Sequence, residues 1–316
     1  MRKDVLAFGD LVADLILPIP ELPVVAGKHQ LAQGAYLEPG GSGNFLIMAA
    51  RLGLNPAAID WVGADFYGRR VREPLDAEGV DVSGVELLEG AQTTLVLVIV
   101  AESGGHVFLG ALGTSGLQEI HAAHRQRIAE AGAFYTNGHT FLIARSIDLV
   151  LEAIGTARDH GVPVFFDPGP QIPNIEPRVM ETAIAHTNVL LLTQEEAALL
   201  AGDEPLADLS RQLLSAGPSL VIIKMGAEGC FIADHERSLK LAAFPVKVLD
   251  TCGAGDAFDA ACVYGYLHGF SLEQIASLAN AVGAATVARL GTGTRLPHKK
   301  DVVALLERSS VNLPLA

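Results

Sequence analysis

Apolar and polar positions along the chain define two kinds of segment. Short apolar runs typical of buried strands occur at residues 5–9, 57–62, 133–135, 162–166, 189–192 and 220–223. Segments with helical spacing lie between several of these runs, for example residues 44–53, which end at a glycine, and residues 147–160. Repeated alternation of strand and helix predicts a mostly parallel sheet with helices on both faces, and therefore an α/β fold.

Two parts of the chain break this alternation. Residues 11–38 and 92–110 have the pattern of strands joined by turns, and the second contains a hairpin signal at Ser103-Gly104-Gly105. We predict that these two segments form a small β-sheet lid. Residues 1–10, 39–91 and 111–316 would then form the core α/β domain that binds nucleotide and substrate. Such a lid would cover the carboxyl ends of the core strands, where α/β proteins bind ligands.

Composition and charge narrow the range of partners. The 316 residues are 50% apolar, which supports a well-buried core, and the formal net charge is −14. An acidic protein is poorly suited to nucleic acid or to an anionic membrane, so a small molecule is the expected partner. The three cysteines lack the spacing of a zinc site or a disulfide framework, and we expect a cytoplasmic protein with reduced thiols. The longest strongly apolar run, residues 95–101, is too short to cross a membrane.

One stretch, DTCGAGDAF at residues 250–258, combines small residues with an acid directly before a helical pattern. The small side chains of Gly253, Ala254 and Gly255 would let an anion approach the unpaired amides at the start of the helix. Asp256 beside that anion would repel it. The Asp256 carboxylate is therefore better suited to accept the proton of a substrate hydroxyl that attacks phosphorus. The alternative is that Asp256 only caps the helix.

A second stretch, PGGSGNFLIMAARLG at residues 39–53, leads from a glycine pair into a helix. Gly40 and Gly41 would let a ligand lie against the backbone, and the amide of Asn44 offers both a donor and an acceptor to a polyol. An ordinary turn with Asn44 as the helix N-cap is the alternative. The chain has neither a P-loop motif nor a complete dinucleotide fingerprint, so a different loop would have to bind phosphate.

These two stretches, in this order and separated by most of the chain, resemble the two signatures of the pfkB-type carbohydrate kinases, the ribokinase-like family. The resemblance extends over nearly the whole chain through the further segments GDLVADLIL, WVGADFYGRRVREPLDAEGVDVSGV, FFDPGP, VIIKMGAEGC and ANAVGAATVARLGT. It implies the family's three-layer fold, in which helices cover both faces of a mostly parallel sheet and a separate small β-sheet forms a lid. It also implies ATP-dependent transfer of a phosphoryl group to a hydroxyl, expected to be primary, of a sugar or related polyol.

The resemblance also implies roles for particular residues. Asp256 would be the catalytic base, next to an anion hole made of Gly253, Ala254 and Gly255. The residues that would grip the sugar are Asp14, Gly40, Gly41 and Asn44. The residues that would flank ATP, with Mg²⁺ bridging its phosphates, are Thr193, Glu196, Lys224, Gly226, Gly229 and Asn280.

Three segments of the sequence indicate which ions the protein binds and whether its acceptor is phosphorylated. The family's Asn-x-x-Glu reads TQEE here, so Glu196 is expected to orient Mg²⁺ through water, while Thr193 keeps a hydroxyl and lacks the amide. Many family members bind K⁺, and Asp250 and the backbone of Cys252 occupy the matching positions, so K⁺ is considered as a further cofactor. Phosphosugar kinases of the family generally carry a lysine in the glycine turn, where this chain has Ser42, so the resemblance implies an unphosphorylated acceptor.

Two other functions stay open at the level of sequence. A nucleoside kinase would use the same frame and differ in lid residues. A non-catalytic family member that binds nucleotide or sugar is the other alternative, and Thr193 is the feature in its favour. The sequence does not decide which sugar or nucleoside is the acceptor, nor whether the protein forms a homodimer.

Overall fold

The described residues, 4–143 and 147–315 in this computed structural model, form two β-sheets. The larger sheet has nine strands in the order β13-β12-β11-β10-β9-β8-β1-β4-β5. Its strands are β1 (Val5–Phe8), β4 (Pro56–Gly63), β5 (Asp81–Leu88), β8 (Phe134–Asn137), β9 (Val164–Asp167), β10 (Val189–Thr193), β11 (Leu220–Lys224), β12 (Cys230–Asp234) and β13 (Ser238–Leu241). The smaller sheet, in the order β3-β2-β6-β7, contains β2 (Leu11–Ile19), β3 (Tyr36–Gly41), β6 (Leu95–Ala101) and β7 (His106–Ala111).

Helices cover both faces of the larger sheet. They are α1 (Ser42–Leu52), α2 (Phe66–Ala77), α3 (Ala122–Glu130), α4 (Gly138–Ile143), α5 (Ile147–Asp159), α6 (Pro177–Ala185), α7 (Gln194–Ala201), α8 (Leu206–Ser215), α9 (Ala254–Leu267), α10 (Leu272–Val287) and α11 (Lys299–Arg308). Helices α1, α9 and α10 pack into one apolar cluster and α3, α5, α6 and α8 into another. The sheet lies between the two clusters, because alternate residues of one strand, such as Leu190 and Leu191 of β10, contribute to opposite sides.

The predicted α/β architecture is confirmed. Strands β1, β4, β5, β8, β9, β10 and β11 pair in parallel, and only β12 and β13 of this sheet pair antiparallel. The strands in the middle of this sheet, such as β1, β8 and β9, are buried on both faces. The carboxyl ends of the parallel strands come together at one edge, and the residues there are Asp10, Asn137, Asp167, Thr193 and Lys224.

The smaller sheet is formed by the two segments that lack helices. Strand β2 pairs in parallel with β6 and antiparallel with β3, and β6 and β7 form the expected hairpin around residues 103–105. Strand β3 runs to Gly41 and β7 to Ala111, so this sheet extends past the predicted limits of 38 and 110. Within residues 4–143 and 147–315, no helix has the length and apolar character needed to cross a membrane.

Candidate active site

A cavity of about 1260 Å³ is lined by residues from both sheets. The smaller sheet contributes Val12, Asp14, Val96 and Phe108, and the larger sheet contributes the residues at the carboxyl ends of its strands. Every residue for which the sequence predicts a role lines this cavity, apart from Gly40 and Asp250, which contact the lining residues Asp14 and Cys252. The two signatures are thus brought to one place although most of the chain separates them.

Asp256 lies in the first turn of α9. The helix begins after Gly253, whose φ of 70° is in the left-handed region, and Asp256 is the third helical residue. The Asp256 side chain accepts a hydrogen bond of 3.0 Å at Oδ2 from Asn44 Nδ2. Burial of the carboxyl raises its pKa to about 6. Such a group is still mainly ionised at neutral pH and accepts a proton more readily than an ordinary aspartate.

Asn44 connects the two signatures directly. The N-cap of α1 is Gly41, at a φ of 54°, so Asn44 is not the N-cap and its side chain is free for other contacts. Besides donating to Asp256, its Oδ1 accepts a hydrogen bond of 2.7 Å from the backbone N–H of Gly293. A Cβ on Gly253 would lie 3.3 Å from Asn44 Cγ, which shows how closely the starts of α1 and α9 approach.

Asp14 and Gly40 are neighbours on the paired strands β2 and β3. The Asp14 carboxyl is buried, and its Oδ2 accepts a hydrogen bond of 3.0 Å from Thr292 Oγ1. A Cβ on Gly40 would lie 2.1 Å from Asp14 Oδ1, so only glycine leaves room for this carboxyl. Burial, with the charge of Asp256 adding to it, raises the pKa of Asp14 to about 8.

Asp10 also belongs to the site, although the sequence analysis did not single it out. Its φ of 61° is in the left-handed region, which non-glycine residues rarely adopt and which is enriched at functional sites. The side chain is buried on the cavity wall, and its Oδ2 accepts a hydrogen bond of 2.7 Å from Asn137 Nδ2. Burial raises the pKa of Asp10, whereas the nearby His139 opposes the shift. An acid directly after a strand and a glycine is the signal that could have identified it.

Lys224 lies at the end of β11, between two buried carboxyl groups. Its Nζ is 2.6 Å from Asp167 Oδ2 and 3.1 Å from Asp259 Oδ1. Burial alone would lower the pKa of Lys224, but Asp167 and Asp259 raise it above its usual value, so the ammonium stays charged. Among the described residues that line the cavity, Lys224 is the only lysine or arginine. The sequence analysis gave no role to Asp167 or Asp259.

The remaining residues predicted to flank ATP lie along one side of the cavity. Thr193 and Glu196 form a capping box at the start of α7, in which Thr193 N–H donates to Glu196 Oε2 at 2.7 Å. Gly229, at a φ of 95°, lies where a Cβ would be 2.0 Å from the carbonyl of Leu241, and Gly226 also has a positive φ. Asn280 donates from Nδ2 to the carbonyls of Leu241 and Ala242, which anchors the segment after β13.

Residues 291–293, which follow α10, donate hydrogen bonds to three residues for which the sequence predicts a role. Gly291 N–H donates to Asp250 Oδ2 at 2.9 Å, Thr292 donates to Asp14, and Gly293 donates to Asn44. The other oxygen of Asp250 accepts the N–H of Cys252 at 3.0 Å. Asp250 thereby connects the loop before α9 to the segment that hydrogen-bonds Asp14 and Asn44. The thiol of Cys252 is buried, and burial raises its pKa far above the usual range, which disfavours the thiolate that a nucleophile requires.

Comparison with known proteins gives a consistent result. Residues 2–299 match the family model described as pfkB family carbohydrate kinase. The chain is 29% identical to an ATP-dependent ribose-1-phosphate kinase of Halopiger xanaduensis over 95% of this chain and 96% of the relative. It is 26% identical to a nucleoside kinase of Methanothermobacter thermautotrophicus over 95% of this chain and 94% of the relative.

Among solved structures, a putative ribokinase II from E. coli in complex with ATP and Mg²⁺ superposes with a TM-score of 0.84. The identity is 22%, and the superposition covers 97% of this chain and 99% of the E. coli chain. At this identity the similarity establishes a shared fold.

Proposed function

Because the chain belongs to the pfkB family of carbohydrate kinases, we propose that it transfers the γ-phosphoryl group of ATP to a hydroxyl, expected to be primary, of a sugar or related polyol. Its relatives include an ATP-dependent ribose-1-phosphate kinase and a nucleoside kinase. The observation that carries the proposal is the Asp256 carboxylate in the first turn of α9, which Asn44 holds and burial makes more basic.

In the proposed reaction Asp256 is the general base. Asn44 occupies Oδ2 of the carboxylate, which leaves Oδ1 to accept the proton of the attacking hydroxyl. The first-turn amides of α9 lack intrahelical partners, and Gly253, Ala254 and Gly255 would offer them to the phosphoryl group as its negative charge redistributes. Proton acceptance and anion binding would thus occur at adjacent points of one loop.

The nucleotide side of the cavity suits a polyphosphate. Gly226 and Gly229 line the cavity, and no heavy atom lies within 4 Å of an added Cβ at Gly226, so the backbone there is open to a ligand. Lys224 supplies a positive charge there, and Asn280, Thr193 and Glu196 complete the proposed ATP site. When bound, Mg²⁺ neutralises charge on the phosphates, and Glu196 would orient it through water.

At the acceptor end, Asp14 and Asn44 would bind hydroxyl groups against the backbone of Gly40 and Gly41. The carboxyl and amide groups can accept and donate hydrogen bonds, as a polyol requires. We propose an unphosphorylated acceptor, because the glycine turn carries Ser42 in place of a lysine, and Lys224, the only lysine or arginine among the described lining residues, is assigned to the nucleotide.

A nucleoside acceptor is the second candidate. Phe108 on β7 lines the cavity, half of its surface is exposed, and its ring lies 4.7 Å from that of His106. Two rings at this position could stack on a nucleobase whose ribose occupies the Asp14 site. The match to the nucleoside kinase covers 95% of this chain, the same share as the match to the ribose-1-phosphate kinase.

Incubation with ATP, Mg²⁺ and a panel of sugars and nucleosides tests these assignments. The panel should contain D-ribose, D-fructose, ribose 1-phosphate, adenosine and cytidine, with ADP formation as the readout. We expect the highest kcat/KM with an unphosphorylated sugar. A higher value with a nucleoside would support the second candidate. ATP binding without turnover on any acceptor would instead indicate a non-catalytic member of the family.

Closure of the smaller sheet over the acceptor is a further expectation. Phosphoryl transfer must exclude water that would compete as a nucleophile, and a lid formed by residues 11–38 and 92–110 would do so. We expect the acceptor identified in the panel to slow amide hydrogen exchange in both segments. Strand β10, which is buried, serves as the internal control and should not change. Protection confined to the larger sheet would show that these segments do not form a lid.

Monovalent cations should affect the rate. The two Asp250 oxygens fix the backbone of Cys252 and Gly291, and the carbonyl groups of these segments, with the carboxylate, are the proposed ligands of K⁺. A cation there would hold the loop at residues 253–255 in its anion-binding form. We expect a higher kcat in K⁺ than in tetramethylammonium at matched ionic strength. Equal rates in the two salts would exclude this role.

A further inference from the structure

We infer that Asp259 is a positioning residue that holds the ammonium of Lys224 beside the anion loop, defined as residues 253–255. The inference rests on the proposed phosphoryl transfer. Asp259 follows the proposed base Asp256 by three residues on α9, and positions three apart share one face of a helix. Its side chain is completely buried, so Asp259 cannot itself contact a ligand in the cavity.

Both oxygens of Asp259 have protein partners. Oδ1 is 3.1 Å from Lys224 Nζ, and Oδ2 accepts a hydrogen bond of 3.3 Å from the hydroxyl of Tyr135. Lys224 also contacts Asp167 Oδ2 at 2.6 Å. The four residues come from β8, β9, β11 and α9, so this buried group joins three core strands to the helix that begins with the anion loop. Of the two side chains that Asp259 contacts, Lys224 lines the cavity, so it is the one through which Asp259 would act on a ligand.

The position of Lys224 shows what this arrangement achieves. A Cβ on Gly255 would lie 3.7 Å from Lys224 Nζ, which places the ammonium next to the anion loop. A lysine side chain is flexible, and one carboxylate would leave its ammonium several positions to occupy. Contacts with Asp167 on the sheet and Asp259 on α9 fix it at one point. There its positive charge would attract the phosphates of ATP and offset the negative charge of Asp256.

The charges within this group suggest how to test it. Burial raises the pKa of Asp259 well above its usual value, while the charge of Lys224 opposes the shift and that of Asp167 adds to it. Burial would also raise the pKa of Asp167, but Lys224 holds it below its usual value, so Asp167 is ionised. An asparagine has nearly the shape of an aspartate and keeps an oxygen that can accept the hydrogen bond from Lys224 Nζ. Asp259→Asn should therefore preserve the position of Lys224, whereas Asp259→Leu should release it.

Calorimetric binding of ATP and AMP to the purified protein, without acceptor, separates positioning from general stability. We expect Asp259→Leu to weaken ATP binding by about tenfold, which is the scale of one hydrogen bond to a charged group, and to leave AMP binding unchanged because AMP lacks the β- and γ-phosphates. Asp259→Asn should bind both nucleotides as the wild-type protein does. Because no acceptor is needed, a failure to find the acceptor does not affect this test.

A double substitution provides the control. In a Lys224→Met background, Asp259→Leu should cause no further loss of ATP affinity, because the residue it positions is already gone. If Asp259→Leu does not fold, Asp259→Ser replaces it, since its hydroxyl is too short to reach Lys224. Unchanged ATP affinity in a folded variant, an equal loss of AMP affinity, or a further loss in the Lys224→Met background would each overturn the inference.

Discussion

Replacing Asp256 with asparagine is expected to lower kcat by at least a hundredfold while ATP affinity stays within a few fold of the wild-type value. Asparagine has nearly the same shape and can keep the contact with Asn44, but it cannot accept the proton of the attacking hydroxyl. A positioned general base contributes on the order of 10² to 10⁴ in rate. Steady-state kinetics with the acceptor from the panel, together with calorimetric ATP binding, measures both quantities.

The pH profile and a matched variant make this test specific. Since burial raises the pKa of Asp256 to about 6, wild-type kcat/KM should fall as the pH decreases through this value and the base becomes protonated. The residual activity of Asp256→Asn should not show this fall in kcat/KM at low pH.

Asp208 provides a matched control. It is likewise the third residue of its helix, α8, and Asp208→Asn should leave kcat unchanged. If Asp256→Asn retained more than about a tenth of wild-type kcat, Asp256 would not be the general base and would only stabilise the start of the helix.

Six of the nine strands of the larger sheet, β1, β4, β8, β9, β10 and β11, could be predicted because burial makes these segments short apolar runs. The run at 189–192, for example, becomes β10, Val189–Thr193, between helices on either side. The start of α1 was harder to predict. Asn44 is a favoured cap residue, yet the helix begins two residues earlier, after Gly41, because a positive φ there turns the chain sharply. This shift moves Asn44 into the helix and directs its amide to Asp256 and Gly293.

Contacts between distant polar residues could not be predicted from local patterns. Asp14 and Thr292 are 278 residues apart, and the partners of Asp259 come from two separate strands, β8 and β11. Periodicity indicates which face of an element is buried, but it does not indicate which polar groups meet on that face. Asp259 lies within an apolar helical run, where a single buried acid has no recognisable signature without its partners Lys224 and Tyr135.

Gly40→Ala is expected to raise the acceptor KM by about ten- to a hundredfold, with little change in the KM for ATP. The added Cβ would lie 2.1 Å from Asp14 Oδ1, far inside the contact distance, so the Asp14 carboxyl must rotate away from the acceptor site. Displacement would also break the hydrogen bond from Thr292. Loss of a hydrogen bond to a charged or buried carboxyl costs roughly 1.5–3 kcal/mol, which corresponds to this change in affinity.

Gly155→Ala is the matched control for this substitution. Gly155 lies within α5, and no heavy atom is within 4 Å of the position of an added Cβ. Alanine there should leave both KM values unchanged and stabilise the helix by up to about 1 kcal/mol, measurable as a higher thermal midpoint. Gly40 does not have a positive φ, so a rise in acceptor KM specific to Gly40→Ala must come from the clash with Asp14 rather than from backbone strain. An unchanged acceptor KM would mean that the sugar does not bind at Asp14, and the acceptor site would have to lie elsewhere in the cavity.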